Sequence, residues 1–281
     1  MSLKKPLRIA FFGLIGLFAL IGFVFTVVFV GMQFGLFDVR GSIADRNAFF
    51  SAPLPDSPPC TDSTATTCPW NATPEWETVA GGLQKDAPVI ARVSEETGVP
   101  ARLIAAVVIP EQIRFFTSER EVFKRYFEPL KILGSLSQFS LGVSGIKQDT
   151  ADIIEENAAS STSLLYPGPG INVLLAYTGT TTHDTALFDR LTDPKNHYYS
   201  YLYTAIFIKE IESQWKTAGF DISDNSGIIA TIFNIGFGGS HPNATPQIGG
   251  APITVGGTTY SFGQLSALFY ASDELSDVFP K

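Results

Sequence analysis

The chain has 281 residues, which is enough for one membrane-spanning segment and one domain of ordinary size with its own core. Its formal net charge is −8, and the part that follows the three cations near the N-terminus carries −11. Nucleic-acid binding requires basic patches, so this charge argues against a nucleic-acid partner and against electrostatic attraction to anionic lipid. We therefore interpret the acidity as a source of solubility.

The first element is an apolar run, Ile9 to Met32, that contains no charged residue. At about 1.5 Å per residue, a helix of this length spans a hydrocarbon layer of roughly 30 Å. Cations precede the run and the next one is Arg40, so the positive-inside rule places residues 1–8 in the cytoplasm and the remainder outside. We predict a transmembrane helix over residues 9–32 with the lipid bilayer as its partner. A cleaved signal peptide is the alternative, but no small-x-small cleavage site follows the run.

Residues 33–80 are rich in proline and serine and predict an extended, semi-rigid linker. Cys60 and Cys68 lie close together within it, in "PPCTDSTATTCPW". A close cysteine pair outside the cytoplasm predicts a local disulfide. A metal site is the alternative, but it would need further ligands, and no histidine lies in this stretch.

Residues 81–281 predict a mainly helical domain. We expect Gly98 to close its first helix at a C′ position, and Pro100 suits the first turn of the next helix, "PARLIAAVVI". Pro110 then removes a backbone donor and disfavours helical geometry at Ile109. This second helix is therefore expected to end or kink at Pro110.

The rest of the chain predicts further helices and one minor β element. "SGIKQDTADIIEENA" indicates a loop that enters a helix near Asp149, and His183 of "THDTALF" is expected in a polar surface loop. "HYYSYLYTAIFIKEIESQWKTAG", "SGIIATIFNIG" and "FGQLSALFYAS" predict helices. "APITVGGTTYSF" alternates around Gly256 and Gly257, which predicts a small β-hairpin.

The candidate for chemistry is Glu111, a carboxylate that follows the apolar run Leu103 to Ile109. No HExxH, GxSxG, P-loop or dinucleotide-binding motif occurs in the chain, so we expect neither a metal nor a cofactor. Burial favours the neutral form of a carboxyl group and raises its pKa, as a general acid for a glycosidic oxygen requires. An exposed or salt-bridged glutamate at a helix end is the alternative.

Three sequence blocks resemble, in order, the motifs of the lytic transglycosylases and related lysozyme-fold enzymes. "GVPARLIAAVVIPEQ" resembles the helix that ends in the catalytic glutamate. "SLGVSGIKQDTA" resembles the Ser, Gly-x-x-Gly-Leu-Met-Gln and Thr-Ala block, and "IIATIFNIGFG" resembles Ala-Tyr-Asn-x-Gly. The blocks extend from Thr97 to Gly238, so the resemblance implies a lysozyme-like α+β domain.

This resemblance implies cleavage of peptidoglycan strands between N-acetylmuramic acid and N-acetylglucosamine, on the periplasmic side of a bacterial inner membrane. Glu111 would be the single catalytic acid and later the base. The attacking group would be the sugar's own 6-hydroxyl, so a second carboxylate is not obligatory. The matching positions expected to bind the sugar are Gly145, Gln148, Asn234, Phe233, Gln112 and, one residue out of register, Ser140.

Several positions depart from the family pattern. Gln112 stands where serine usually follows the glutamate, and Lys147 stands in place of the methionine. Phe233 replaces a tyrosine whose hydroxyl helps to hold the catalytic carboxyl in the family, so Glu111 lacks that partner. The segment before Gly142 is longer than usual, and its acids either supply a second carboxylate for hydrolysis or form the solvated face of an inserted helix: Glu119, Glu121 and Glu128.

Three other functions stay open at this point. A hydrolytic muramidase would use a second carboxylate. A non-catalytic glycan-binding or scaffold domain, for an envelope complex of unknown partners, is compatible with the changes at Phe233 and Lys147. The third is a peptidoglycan glycosyltransferase, because "PEQIRFF" and "GVSGIKQDTA" weakly resemble two motifs of that family. However, Glu111 is followed by glutamine where that family has aspartate, and Gly145 stands where it has threonine.

Overall fold

The computed structural model divides the chain into two compact units, Met1–Ser51 and Ala52–Lys281. The residues that it describes are 12–14, 16, 18–23, 26–27, 69–117, 140–193 and 195–281. In the first unit these residues are helical and exposed. Within the described ranges, none of the helices is long and apolar enough to cross a membrane. The span predicted over residues 9–32 falls partly outside them.

Helix α1 of the larger unit, Pro74–Thr97, ends as its sequence predicts. Gly98 follows it in the left-handed conformation, with φ of +76°, and donates its backbone N–H to a carbonyl of the last turn. At the other end, Trp70 and Trp76 are buried and meet edge to face, with ring centroids 4.8 Å apart. The packed core therefore includes residues that precede the predicted domain start at 81.

Helix α2, Ala101–Thr117, is buried throughout the stretch from Leu103 to Ile109. The sequence predicted an end or a kink at Pro110, and the end is wrong, because the chain stays helical for two further turns. Proline in a helix interior costs about 3 kcal/mol. Ile113, one turn later, is fully buried, and burial of an isoleucine contributes about 1.5–3 kcal/mol. Continued packing thus offsets the lost hydrogen bond, and Glu111 lies inside the helix, not beyond its end.

A short antiparallel hairpin follows, where the sequence predicted only a loop. Strands β1, Ser140–Leu141, and β2, Ile146–Lys147, pair so that Ser140 faces Lys147. Gly142 and Gly145 lie in the turn between them, both with positive φ. Helix α3, Gln148–Ala159, begins directly after β2.

The central part of the domain is a series of helices: α4, Ile171–Leu174; α5, His183–Thr192; α6, Tyr198–Thr217; and α7, Ser226–Ile235. The prediction of a polar loop around His183 is wrong, because this residue opens α5. Leu187 and Leu191 recur at helical spacing on α5 and both are buried, which holds an otherwise polar segment in a helix.

The C-terminal part confirms the predicted hairpin and last helix. Strands β3, Pro252–Val255, and β4, Thr258–Ser261, are antiparallel and are joined by the predicted Gly256-Gly257 turn. Helix α8, Phe262–Ala271, follows at once and begins with a capping box between Ser261 and Gln264.

The core forms around α2, which packs against α1, α6, α7 and α8. Arg102 on α2 is buried and its guanidinium donates hydrogen bonds to backbone carbonyls at the C-terminal end: those of Phe269, Tyr270, Ser272, Glu274 and Phe279. The C-terminal segment is thereby fixed to the helix that carries Glu111. In the described part of the chain the fold is mainly α, with two small hairpins, which confirms the prediction of a mainly helical domain.

Candidate active site

Glu111 lies where α2 meets the β1–β2 hairpin. Gly145 in the hairpin turn has φ of +67°, and a Cβ atom at this position would lie 2.6 Å from both Cγ and Oε1 of Glu111. Both the positive φ and the close approach require glycine. The structure thus brings Glu111 and Gly145, which come from two different motif blocks, into direct contact.

Gln112 fastens the same hairpin to α2. Its side-chain Nε2 donates a hydrogen bond to the backbone carbonyl of Val143, which lies in the hairpin turn. Gln112 was predicted to bind the sugar, and in the structure its amide nitrogen contacts the protein's own backbone.

The other side of the hairpin is held by α5 and α6. Gly142, with φ of +61°, packs so closely on the Leu191 carbonyl and the Ser200 hydroxyl that a Cβ would not fit. Ser144 is buried and its hydroxyl donates a 3.1 Å hydrogen bond to the Ser200 carbonyl. Contacts on both sides therefore fix the backbone that faces Glu111.

Ser140 and Gln148 lie at the base of this hairpin. The Ser140 backbone pairs with Lys147, and Gln148 is the half-buried first residue of α3. Ser140 therefore belongs to the hairpin that contacts Glu111, and Gln148 follows that hairpin directly.

Phe233 and Asn234 lie on α7, which packs against α2. The Phe233 ring meets the Phe207 ring edge to face, with centroids 5.2 Å apart. Asn234 Oδ1 accepts a 2.8 Å hydrogen bond from the backbone N–H of Ala251. For the part of the chain that is described, the ring contacts and side-chain hydrogen bonds of these two residues are with α6, α8 and the loop before β3, and not with Glu111.

Arg114 is a neighbour of Glu111 that the sequence reading missed. Its Nη2 lies 2.8 Å from Oε1 and 2.7 Å from Oε2 of Glu111. The side chain of Glu111 is 12% exposed and that of Arg114 is 23% exposed. Residues three apart on a helix share a face, so the spacing would have indicated this pair if α2 had been extended past Pro110.

A second group of polar side chains surrounds Glu155 on α3, and we call it the Glu155 cluster: Glu155, Tyr177, His183 and Tyr203. Glu155 Oε1 accepts hydrogen bonds from the Tyr177 hydroxyl at 2.5 Å and from the Tyr203 hydroxyl, and Oε2 lies 2.8 Å from His183 Nε2. The hydrogen bond with Glu155 raises the pKa of His183, and burial raises the pKa of Tyr203. The cluster ties α3, α5 and α6 together. Sequence reasoning missed it because its members come from four separate segments.

Several predicted residues lie outside the described ranges, namely Cys60, Cys68, Glu119, Glu121 and Glu128. The predicted disulfide and the proposed second carboxylates therefore stay predictions. Among the residues with described positions, no group of three or more histidine, cysteine, aspartate or glutamate side chains has the arrangement of a metal site.

No family model, curated protein or solved structure matches the chain. The contacts described above and the resemblance of the three motif blocks are therefore what supports a function for this chain.

Proposed function

We propose that this chain is a membrane-anchored peptidoglycan lytic transglycosylase with a lysozyme-like domain, in which Glu111 is the general acid and base. The observation that carries the proposal is the contact between Glu111 and Gly145. The resemblance identified these two residues independently, in separate blocks, as parts of one sugar cleft. In the structure, the helix that carries the glutamate meets the hairpin of the second block, and a helix starts at Gln148 directly after that hairpin.

The proposed reaction transfers one proton out and one proton back. Glu111 gives its proton to the glycosidic oxygen, and the bond from that oxygen to C1 of N-acetylmuramic acid breaks. The 6-hydroxyl of the same sugar then forms a bond to C1 and returns its proton to the Glu111 carboxylate. The products are a free N-acetylglucosamine 4-hydroxyl and a 1,6-anhydro end, and no water is consumed.

The surroundings of Glu111 suit this cycle. The carboxyl group is mostly covered yet retains 12% exposure, so it can meet a substrate from solvent. Gly145 brings backbone, without a side chain, against the carboxyl group. Gln148 and Asn234 are the polar side chains proposed to contact the N-acetyl sugars.

The location follows from the N-terminal sequence. Residues 9–32 are proposed to span the inner membrane once, which places the domain in the periplasm beside its substrate. Cys60 and Cys68 would then lie in an oxidising compartment, where a disulfide persists.

The experiment uses the full-length chain, purified in detergent, with isolated sacculi as substrate. We expect release of 1,6-anhydro-muropeptides by the wild-type chain and none by Glu111→Gln, which keeps the size of the side chain but cannot cycle a proton. Reducing-end products in place of anhydro products would establish the hydrolytic muramidase. Binding to sacculi without any release by the wild-type chain would refute an enzyme and favour the glycan-binding scaffold.

A further inference from the structure

Arg114 and Glu111 form an ion pair that is protected from solvent. One guanidinium nitrogen of Arg114 lies within 2.8 Å of both carboxylate oxygens. The Arg92–Glu96 pair on α1 has a similar distance of 3.0 Å, but its arginine side chain is 63% exposed. Exposed ion pairs contribute little to stability because water screens them, whereas an ion pair covered by protein restricts the conformation of both side chains.

The hairpin restricts the same carboxyl group. Gly145 approaches so closely that not even a Cβ atom would fit between the hairpin backbone and the Glu111 side chain. Gln112 and Ser144 hold the hairpin in place through their hydrogen bonds. Arg114 and the hairpin therefore define one position for the carboxyl oxygens.

The position that the resemblance assigns to a supporting tyrosine is Phe233, which has no hydroxyl to donate. Its ring packs on Phe207 and Phe262. The carboxyl group that the family holds through a phenol is contacted here by a guanidinium from its own helix.

We infer that Arg114 is the positioning residue of Glu111, a role that rests on the proposed function. Arg114 holds the carboxyl oxygens toward the glycosidic bond through its charge-assisted hydrogen bonds. The same contact keeps the carboxylate in place to accept the proton of the 6-hydroxyl. Arg114 itself transfers no proton and acts only through Glu111.

The test compares Arg114→Gln, Arg114→Lys and Arg114→Ala with Arg92→Gln, all in the full-length chain. The readout is kcat and KM for anhydro-muropeptide release from sacculi or from a soluble glycan strand. We expect Arg114→Gln to lower kcat about 10- to 100-fold with KM changed less than about threefold, because a contact made by Glu111 and not by substrate is lost. Arg114→Lys should retain part of the rate, and Arg92→Gln should behave as wild type.

A chemical rescue separates positioning from simple structural support. Added methylguanidinium should restore a measurable part of the kcat of Arg114→Ala, since a free cation can occupy the space beside Glu111. Urea denaturation is measured on all variants. The urea midpoint of Arg114→Gln should fall by no more than the loss of one ion pair explains.

The outcomes distinguish this inference from the proposed function. If wild type releases no anhydro product, or if Glu111→Gln is fully active, the proposed function fails and the role of Arg114 fails with it. If Glu111→Gln is inactive but Arg114→Gln keeps the wild-type kcat, only the inference about Arg114 is overturned. It is equally overturned if the loss is confined to KM, or if Arg114→Lys is as inactive as Arg114→Gln and methylguanidinium restores nothing.

Discussion

Two glutamates on core helices, Glu111 on α2 and Glu210 on α6, have opposite surroundings. Glu111 retains some exposure, contacts the hairpin and pairs with Arg114. Glu210 is 0% exposed, and its one described hydrogen bond is a 3.4 Å contact from Asn157 Nδ2 to Oε2. Within the described residues its Oε1 has no hydrogen-bond partner. Burial raises the pKa of Glu210 to about 9.

The difference teaches that burial and function are separate properties of a carboxyl group. Glu210 has the raised pKa that the sequence predicts for a carboxyl group in an apolar helix, but no solvent or substrate reaches it. Glu111 is accessible and is held by a hairpin and a cation. A site therefore needs access and a defined orientation in addition to an apolar setting.

The largest expected difference is in catalysis. Glu111→Gln should lower the rate of anhydro-muropeptide release by about 10²- to 10⁴-fold, which is the typical contribution of a general acid. Glu210→Gln should keep the wild-type rate within about threefold, because this side chain is enclosed in the core. Parallel assays at one pH compare the two variants. Equal losses of rate in the two variants would show that the different surroundings of the two glutamates have no bearing on catalysis.

The next difference is in stability as a function of pH. The unfolded chain releases the Glu210 proton near its ordinary pKa of 4.5, whereas the native chain keeps that proton until about pH 9. The native state thus binds more protons in this window, and the free energy of unfolding falls as pH rises, by about 1.4 kcal/mol per unit. Between pH 6 and pH 8 we expect wild type to lose about 3 kcal/mol relative to Glu210→Gln.

Urea denaturation of both chains at these two pH values measures this difference. Glu212, whose pKa is raised to about 7 by burial, contributes a slope of the same sign. It is present in both chains and cancels in the comparison. Parallel stability curves for wild type and Glu210→Gln would contradict a proton held by Glu210.

The hairpin contact at Glu111 predicts a smaller effect. Gly145→Ala must adopt a positive φ and also place a Cβ 2.6 Å from the Glu111 carboxyl group. Gly98→Ala has a similar φ of +76° with nothing within 4 Å of its Cβ, so it is the matched control. We expect a loss of about 1–2 kcal/mol in the control from strain alone. Gly145→Ala should lose more stability and should also lower kcat at least tenfold, whereas a normal kcat would argue against this contact.

Local signals predicted the helix end at Gly98, the hairpin at Gly256 and Gly257, and the start of α8. Each depends on a few adjacent residues with a defined backbone preference. The continuation of α2 past Pro110 could not be predicted in the same way, because it depends on the burial of Ile113 by distant parts of the chain. That error also hid Arg114, which contacts Glu111 only if both lie on one helix.

The two carboxylates that the sequence reading passed over show the same limit. Glu210 lies in "FIKEIESQW", inside a predicted helix, and α6 is buried at this point by packing against neighbouring helices. Glu155 gains its partners from three other segments. Motif resemblance identified Glu111 and Gly145, while the partners of Glu155 and Glu210 emerged only from tertiary contacts.

Glu155 is intermediate between the two glutamates and predicts the smallest effect. Its carboxylate is largely covered, like that of Glu210, but it accepts hydrogen bonds from Tyr177 and Tyr203 and contacts His183. Tyr203→Phe removes one hydrogen-bond donor from a carboxylate that keeps two other partners. We therefore expect the free energy of unfolding to fall by only about 1 kcal/mol, the lower end of the cost of an unsatisfied buried polar group. Tyr177→Phe should cost less, because its hydroxyl lies nearer to solvent and water can replace it. Urea midpoints measure both, and a loss above about 3 kcal/mol for either would mean that the cluster holds α3, α5 and α6 together as one cooperative network.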